Sequence, residues 1–428
     1  MLKLYEFQIF TVARILGVGV RPLILYLCIV LPNHELGLNY ALLLSAVASS
    51  MLVLSNQNFR RIYDYVAGDS RHRQGLAGRD LFVTYIEGTF LHVAIFLPVA
   101  GVLCWIWTQS FQLTLICILF ILLEKYFDED QRIAIYQRRY FAWSINFGFR
   151  VVGPSLCLLG AIFIWEDHLL YIYTVAALIF FWLYIRLFRS QFSYLVGRWL
   201  CRFLGQPKLW WARIRCYGQD YRQELAFAQI WVFLAGNFSL LDRFFVAQME
   251  PTLFAEYMFF SNLANVIPLL HGFFYFTKIR PQLVNRNGPI LDPFLSPHNW
   301  ALPIGFALLF PIGFFATTSL GLLTSTLGYF TIIGLSALYA LSAMMLVIIE
   351  LAFWRIKRGW MTALELASMV SVVLMFGVWH QFGLLSLDWM PWIVVAVLVG
   401  KLVALIALLI QAQHDPRFQV VNLDSKAP

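Results

Sequence analysis

Charge is scarce in this chain. Asp, Glu, Lys and Arg make up only 13% of its 428 residues, against 61% hydrophobic. A soluble fold of that composition would expose more apolar surface than monomers tolerate. Cysteine is nearly as sparse. Of six residues, Cys28, Cys104, Cys117 and Cys157 lie in or beside apolar runs and Cys201 and Cys216 in a basic stretch, which gives neither a disulfide framework nor a zinc spacing. No nucleotide-binding loop or nicotinamide fingerprint is visible, which argues against direct ATP hydrolysis, and no cofactor or metal is expected. The run Asp128, Glu129, Asp130 has Lys125 and Arg132 as neighbours and reads as a solvated, salt-bridged helix end. The first apolar stretch lacks a small-residue cleavage pattern and is long enough to span, so it is expected to stay as the first helix.

What the chain has is long apolar runs. An all-α, polytopic membrane protein follows. About 20 apolar residues cross a ~30 Å hydrocarbon core, and scanning at that length gives roughly twelve spans. They fall near 7–31, 39–58, 80–104, 111–124, 141–164, 168–187, 225–247, 253–276, 300–318, 327–349, 361–380 and 391–411. The fourth is the shortest, since its apolar run ends at Glu124. Lys and Arg fall in alternate connections: Arg60 to Arg79, Lys125 to Arg139, Arg186 to Arg222, Lys278 to Arg286, Arg355 to Arg358, and the two ends. Under the positive-inside rule both termini are cytoplasmic, and an even span count agrees. The net charge of +8 forms no continuous patch, so nucleic acid is not expected as a partner.

The longest connection divides the spans six and six. The expected organisation is an N-terminal lobe over 1–190, a cytoplasmic linker over 191–222, a C-terminal lobe over 223–411 and a cytoplasmic tail over 412–428. In the linker, Leu195, Trp199, Leu200, Phe203 and Leu204 recur at helical spacing beside Arg198 and Arg202. That pattern fits an amphipathic helix in the membrane interface, with a solvated basic loop as the alternative. Leu36 to Tyr40 resembles Leu253 to Tyr257 at an offset of 217 residues, the mark of a parallel repeat, which usually encloses a central substrate cavity.

Five basic residues lie inside the spans: Arg14, Arg21, Arg150, Arg243 and Lys401. Arg14 and Arg21 are seven residues apart, almost two turns, so one face of the first helix is cationic. A guanidinium at the bilayer centre costs about 2.5 to 3.5 kcal/mol on insertion scales, and a wet cavity is the natural compensation. Together the five would mark a positive path for an anion. The structural alternatives are Arg14 snorkelling to the cytoplasmic interface, Arg243 pairing with an acid and Lys401 stretching to an interface. Asp242 is about 100° around the helix from Arg243 and not an automatic partner. Glu87 and Asp242 are the candidates for ion coupling, with a structural hydrogen bond an equal reading for Glu87. Glu350 and Glu365 are expected to pair with Arg355, Lys357 or Arg358.

The segment from Arg14 to Tyr40 with ELGLNYALLLS, the segment LLDRFFVAQMEPTLFAEYMFFSNLANVIP from Leu240 to Pro268, and the six-plus-six layout resemble the polysaccharide flippases of the O-antigen (Wzx) type. These belong to the multidrug/oligosaccharidyl-lipid/polysaccharide exporter superfamily. The resemblance implies a V-shaped, alternating-access transporter of a bacterial inner membrane, not an enzyme, with a cationic cavity lined by spans 1, 2, 7 and 8. It implies a polyprenyl-pyrophosphate-linked oligosaccharide as cargo, contact with membrane lipids and other polysaccharide-assembly membrane proteins as partners. The alternatives are a polysaccharide polymerase or ligase, for which the short outer connections offer little material, and a multidrug or organic-cation exporter, which would favour an acidic pocket.

Overall fold

A computed structural model describes residues 19–31, 34–54, 78–136, 140–164, 168–188, 224–274, 292–321, 323 and 325–415. Among them the protein is all-helical. The chain clusters into two compact units, Met1–Val232 and Phe233–Pro428, so the division falls ten residues beyond the expected end of the linker.

In the first unit the helices are α1 (Gly19–Val30), α2 (His34–Val53), α3 (Gly78–Thr108), α4 (Phe111–Tyr136), α5 (Tyr140–Phe147), α6 (Gly153–Ile162) and α7 (Leu169–Leu187). A π-helical turn, Gly148–Val152, joins α5 to α6. α8 (Glu224–Phe238) starts in the first unit and ends in the second. The second unit continues with α9 (Leu241–Met249), α10 (Pro251–Ala264), α11 (Val266–Phe274), α12 (Asp292–Leu295), α13 (Pro297–Ser319), α14 (Tyr329–Arg355), α15 (Arg358–Gln381) and α16 (Met390–His414).

Eight of these helical stretches are long and apolar enough to cross a membrane, and the bent pair α8 and α9 makes nine. The chain is a multi-pass helical membrane protein. The charged residues on α4 and the break at Asn265 between α10 and α11 keep the expected fourth and eighth spans out of that set. The first is described only from Gly19 onward.

Hydrophobic residues surround most of these helices, so packing alone sorts inner from outer faces. In α14, 72% of the apolar window is buried, and in α2 56%, whereas in α13 only 11% is. α2 and α14 are therefore the central helices of their units. α2 packs on α3 and α4, and α14 on α13, α16 and α11. Leu308, Leu309, Ile312 and Phe315 project outward from α13, as lipid-facing residues do. Where helices end inside the protein, side chains take up the freed carbonyls. His92 and Gln229 both reach Val53 O at the end of α2, at 3.0 and 2.9 Å. Glu256 on α10 caps the turn before α14, accepting from Thr326 N at 2.8 Å and from the Ser325 and Thr326 hydroxyls.

Candidate functional site

α4 starts apolar at Phe111 and becomes polar after Leu123. Glu124, Asp128 and Gln131 recur at helical spacing, as do Lys125, Glu129 and Arg132, so two adjacent stripes run along one side. The sequence reads this as a solvated end, yet Glu124, Lys125, Glu129, Asp130 and Gln131 are buried. The ion pairs expected of Lys125 and Arg132 do form, with Glu129 and with Asp128 at 2.8 Å. They form inside the packed unit because α2, α5 and α7 cover the helix. Asp130 accepts from Asn146 at 3.1 Å and from the Tyr184 hydroxyl.

At the apolar edge of this band two arginines meet one carboxylate. Arg21 of α1 donates to Glu124 Oε1 at 3.2 Å, while Arg150 donates to Glu124 Oε2 and to Gln131 Oε1, the latter at 3.1 Å. The three groups carry a formal +1. Adding the ion-paired Lys125, Asp128, Glu129 and Arg132 and the Asn146-bonded and Tyr184-bonded Asp130 brings the described cluster to four cations and four carboxylates. The Arg21 side chain stays 34% exposed. Its Nε and the Gln131 Nε2 are buried without a hydrogen-bond partner among the described residues. Buried donors of that kind are costly, on the order of 1 to 3 kcal/mol each, unless water or a ligand meets them.

Arg150 owes its position to Pro154. A proline ring clashes with the carbonyl four residues earlier, here that of Arg150, and offers no N–H. The helix widens there instead of breaking, and Gly153 N bonds to Gly148 O, five residues back. Such π turns are rare and frequent at functional sites. Gly153 also lets α6 lie against α7, since a Cβ there would sit 2.7 Å from Phe180 Cδ1 and Cζ. Gly153→Val is expected to cost about 1 to 3 kcal/mol through overpacking. Thermal unfolding in detergent checks it, and wild-type stability would show that Phe180 swings clear at no cost.

A second polar cluster lies in the other unit, at a break in a membrane-length helix. α8 and α9 meet at 52°, with Ser239 and Leu240 between them. Ser239 Oγ turns back to Gly236 O at 2.7 Å. Asp242 and Arg243 sit in the first turn of α9, both buried. Their 100° separation sends them to different partners. Tyr257 donates to Asp242 Oδ2 at 2.7 Å, Arg243 donates to the Tyr339 hydroxyl, and Ser261 Oγ lies 2.6 Å from that hydroxyl. Asp242 Oδ1 and Arg243 Nε have no hydrogen-bond partner among the described residues. Broken helices at membrane depth line binding sites in many transporters, because freed backbone is tolerated only beside protein or a wet cavity.

Lys401 is closed off. It pairs with Glu365 at 2.6 Å, the two side chains 3% and 1% exposed, and its ammonium lies 5.1 Å from the Phe238 ring centroid. Glu365 therefore ties α15 to α16. Thirty-six residues separate the partners, so no local spacing announces the pair. Arg14, the linker over 191–222 and the chain beyond residue 415 lie outside the described residues. Glu87 falls within α3, its side chain also outside them. Among the described residues no group of three or more His, Cys, Asp or Glu could hold a metal ion.

Sequence reasoning missed Glu124, Gln131, Tyr257, Ser261 and Tyr339. For the first two the signal was present, as polar residues repeating every three to four positions in a helix that starts apolar. No family model matches the sequence, and no curated protein or solved structure matches it either.

Proposed function

We propose that this chain is a transporter that carries an anionic lipid head group, a polyprenyl-pyrophosphate-linked oligosaccharide, from the cytoplasmic to the outer leaflet of a bacterial inner membrane. In this reading twelve spans in two six-helix lobes alternate access to a central cavity, and both termini are cytoplasmic. The observation that carries it is the sharing of one carboxylate, Glu124, by Arg21 and Arg150 within apolar helices. Two guanidiniums on one carboxylate give a local +1 at the apolar edge of a cluster that is neutral as a whole, and the opposite charge of Asp128, Glu129 and Asp130 lies deeper along α4. Arg21 is open enough to be reached.

Glu124 then acts as an internal counter-ion. A diphosphate carries more than one negative charge and can engage both guanidiniums at once, each with a planar pair of donors. At ~4 Å and an effective dielectric near 20, each charge pair is worth about 4 kcal/mol. The lipid tail stays in the bilayer, so only the head group has to cross. In the second unit Arg243, beside the break between α8 and α9, is a further buried cation, while Lys401 is held in an ion pair with Glu365.

Leaflet accessibility of lipid-linked oligosaccharide in cells with and without the gene tests the reading. Accumulation on the cytoplasmic face in its absence is the expected result. Normal appearance outside, with unpolymerised units building up there, would overturn it in favour of a polymerase or ligase.

A further inference from the structure

The starts of α2, α4 and α7 enclose a cavity of about 440 Å³ at one end of the first unit. Glu35, Asn39, Gln112, His168 and Tyr171 line it, over a floor that includes the buried Leu113. We propose that this cavity is a saccharide-binding subsite.

The volume lies in the range of small-molecule sites, roughly 300 to 1,000 Å³. Among the described residues the lining holds no Lys or Arg, so a phosphate finds no counter-charge from them. Among the described residues it holds one carboxylate, Glu35, where a hard divalent cation takes about six oxygen ligands or more. What remains is a set matched to vicinal hydroxyls. Each sugar hydroxyl both donates and accepts. Glu35 accepts only, and the Asn39 and Gln112 carboxamides do both. Tyr171 donates to Gln112 Oε1 at 3.2 Å, which holds that amide and leaves its NH₂ group as a donor. Tyr171 is 47% exposed, with the His168 ring 6.0 Å away, and flat rings of this kind cover the C–H face of a pyranose.

The subsite deepens the transporter reading by naming neutral sugar rings as the part of the head group held apart from the arginines. In the twelve-span topology it opens at the outer face, where the glycan would be released. Its chemistry, however, stands without the topology.

The test uses the full-length protein in nanodiscs and saturation-transfer difference NMR, with methyl glycosides of a hexose, an N-acetylhexosamine and a 6-deoxyhexose as probes. At least one is expected to bind with a Kd on the order of millimolar, at least tenfold more weakly in Tyr171→Ala and in Gln112→Ala, and undiminished in Arg21→Ala. Both pocket residues are exposed, and melting curves of the variants show that they remain folded. Failure of all three glycosides to bind, binding unchanged in both pocket variants, or competition by methyltriphenylphosphonium alone would overturn the proposal, the last by making this a cation pocket. Loss of the subsite with export still dependent on Arg21 refutes the subsite only. Glycoside binding with export indifferent to Arg21 refutes the transporter reading only.

Discussion

Arg21→Ala is expected to abolish transport while the protein still inserts and folds. One guanidinium facing one charge of the head group is worth about 4 kcal/mol at an effective dielectric of 20, which is about a thousandfold in rate or affinity at 1.4 kcal/mol per decade. Half that energy still leaves about thirtyfold. Arg21 is a third exposed and among the described residues makes one hydrogen bond, of 3.2 Å to Glu124, so its removal takes away little packed surface. The partner change gives the sign. Glu124→Gln frees both arginines from their internal counter-ion, and binding of inorganic pyrophosphate to the purified protein should tighten, whereas Arg21→Ala should weaken it. Wild-type export from Arg21→Ala would remove the cationic-path argument. Pyrophosphate binding unchanged in Glu124→Gln would remove the counter-ion role.

The second large effect is on stability. Lys401→Met removes the ammonium that faces the buried Glu365 carboxylate at 2.6 Å, and breaking one half of a buried ion pair costs about 3 to 5 kcal/mol. Against a total stability of roughly 5 to 15 kcal/mol, that is enough to lower the yield of folded protein sharply. Adding Glu365→Gln should recover most of the loss, since a neutral amide beside methionine carries no uncompensated charge. Unfolding of the wild type and the two variants in detergent checks this. Near-wild-type stability of the single variant would show that water reaches the pair.

Much of the helical architecture was legible because a membrane imposes one length on every span and one period on every helix. α3, α7, α13, α14, α15 and α16 fall where the apolar runs place them. Breaks inside a helix were less legible. Pro154 and Pro268 were visible, but a proline specifies only that a bond is lost; a π turn at Gly148–Val152 and a break at Asn265 are different ways of absorbing that loss, chosen by packing. The bend between α8 and α9 has no proline at all.

The site was half legible for a related reason. A charged residue in an apolar run is conspicuous, so Arg21, Arg150, Asp242, Arg243 and Lys401 stand out. Their partners do not, because Glu124, Tyr339 and Glu365 come from helices remote in sequence. Glu124 was further disguised by its neighbours, since a run of acids and bases looks like a helix end in water until α2, α5 and α7 are packed around it.

The central claim is that this chain moves an anionic, sugar-bearing lipid across a bilayer, and that Arg21 is needed for the movement. Reconstitution tests it most directly. Proteoliposomes carrying a fluorescent polyprenyl-pyrophosphate-linked sugar, made with the wild-type chain, Arg21→Ala or no protein, are treated with a membrane-impermeant quencher. The account predicts fast loss of the inner-leaflet signal with the wild-type chain and the slow rate of protein-free vesicles with Arg21→Ala. Equal rates in all three preparations would contradict it.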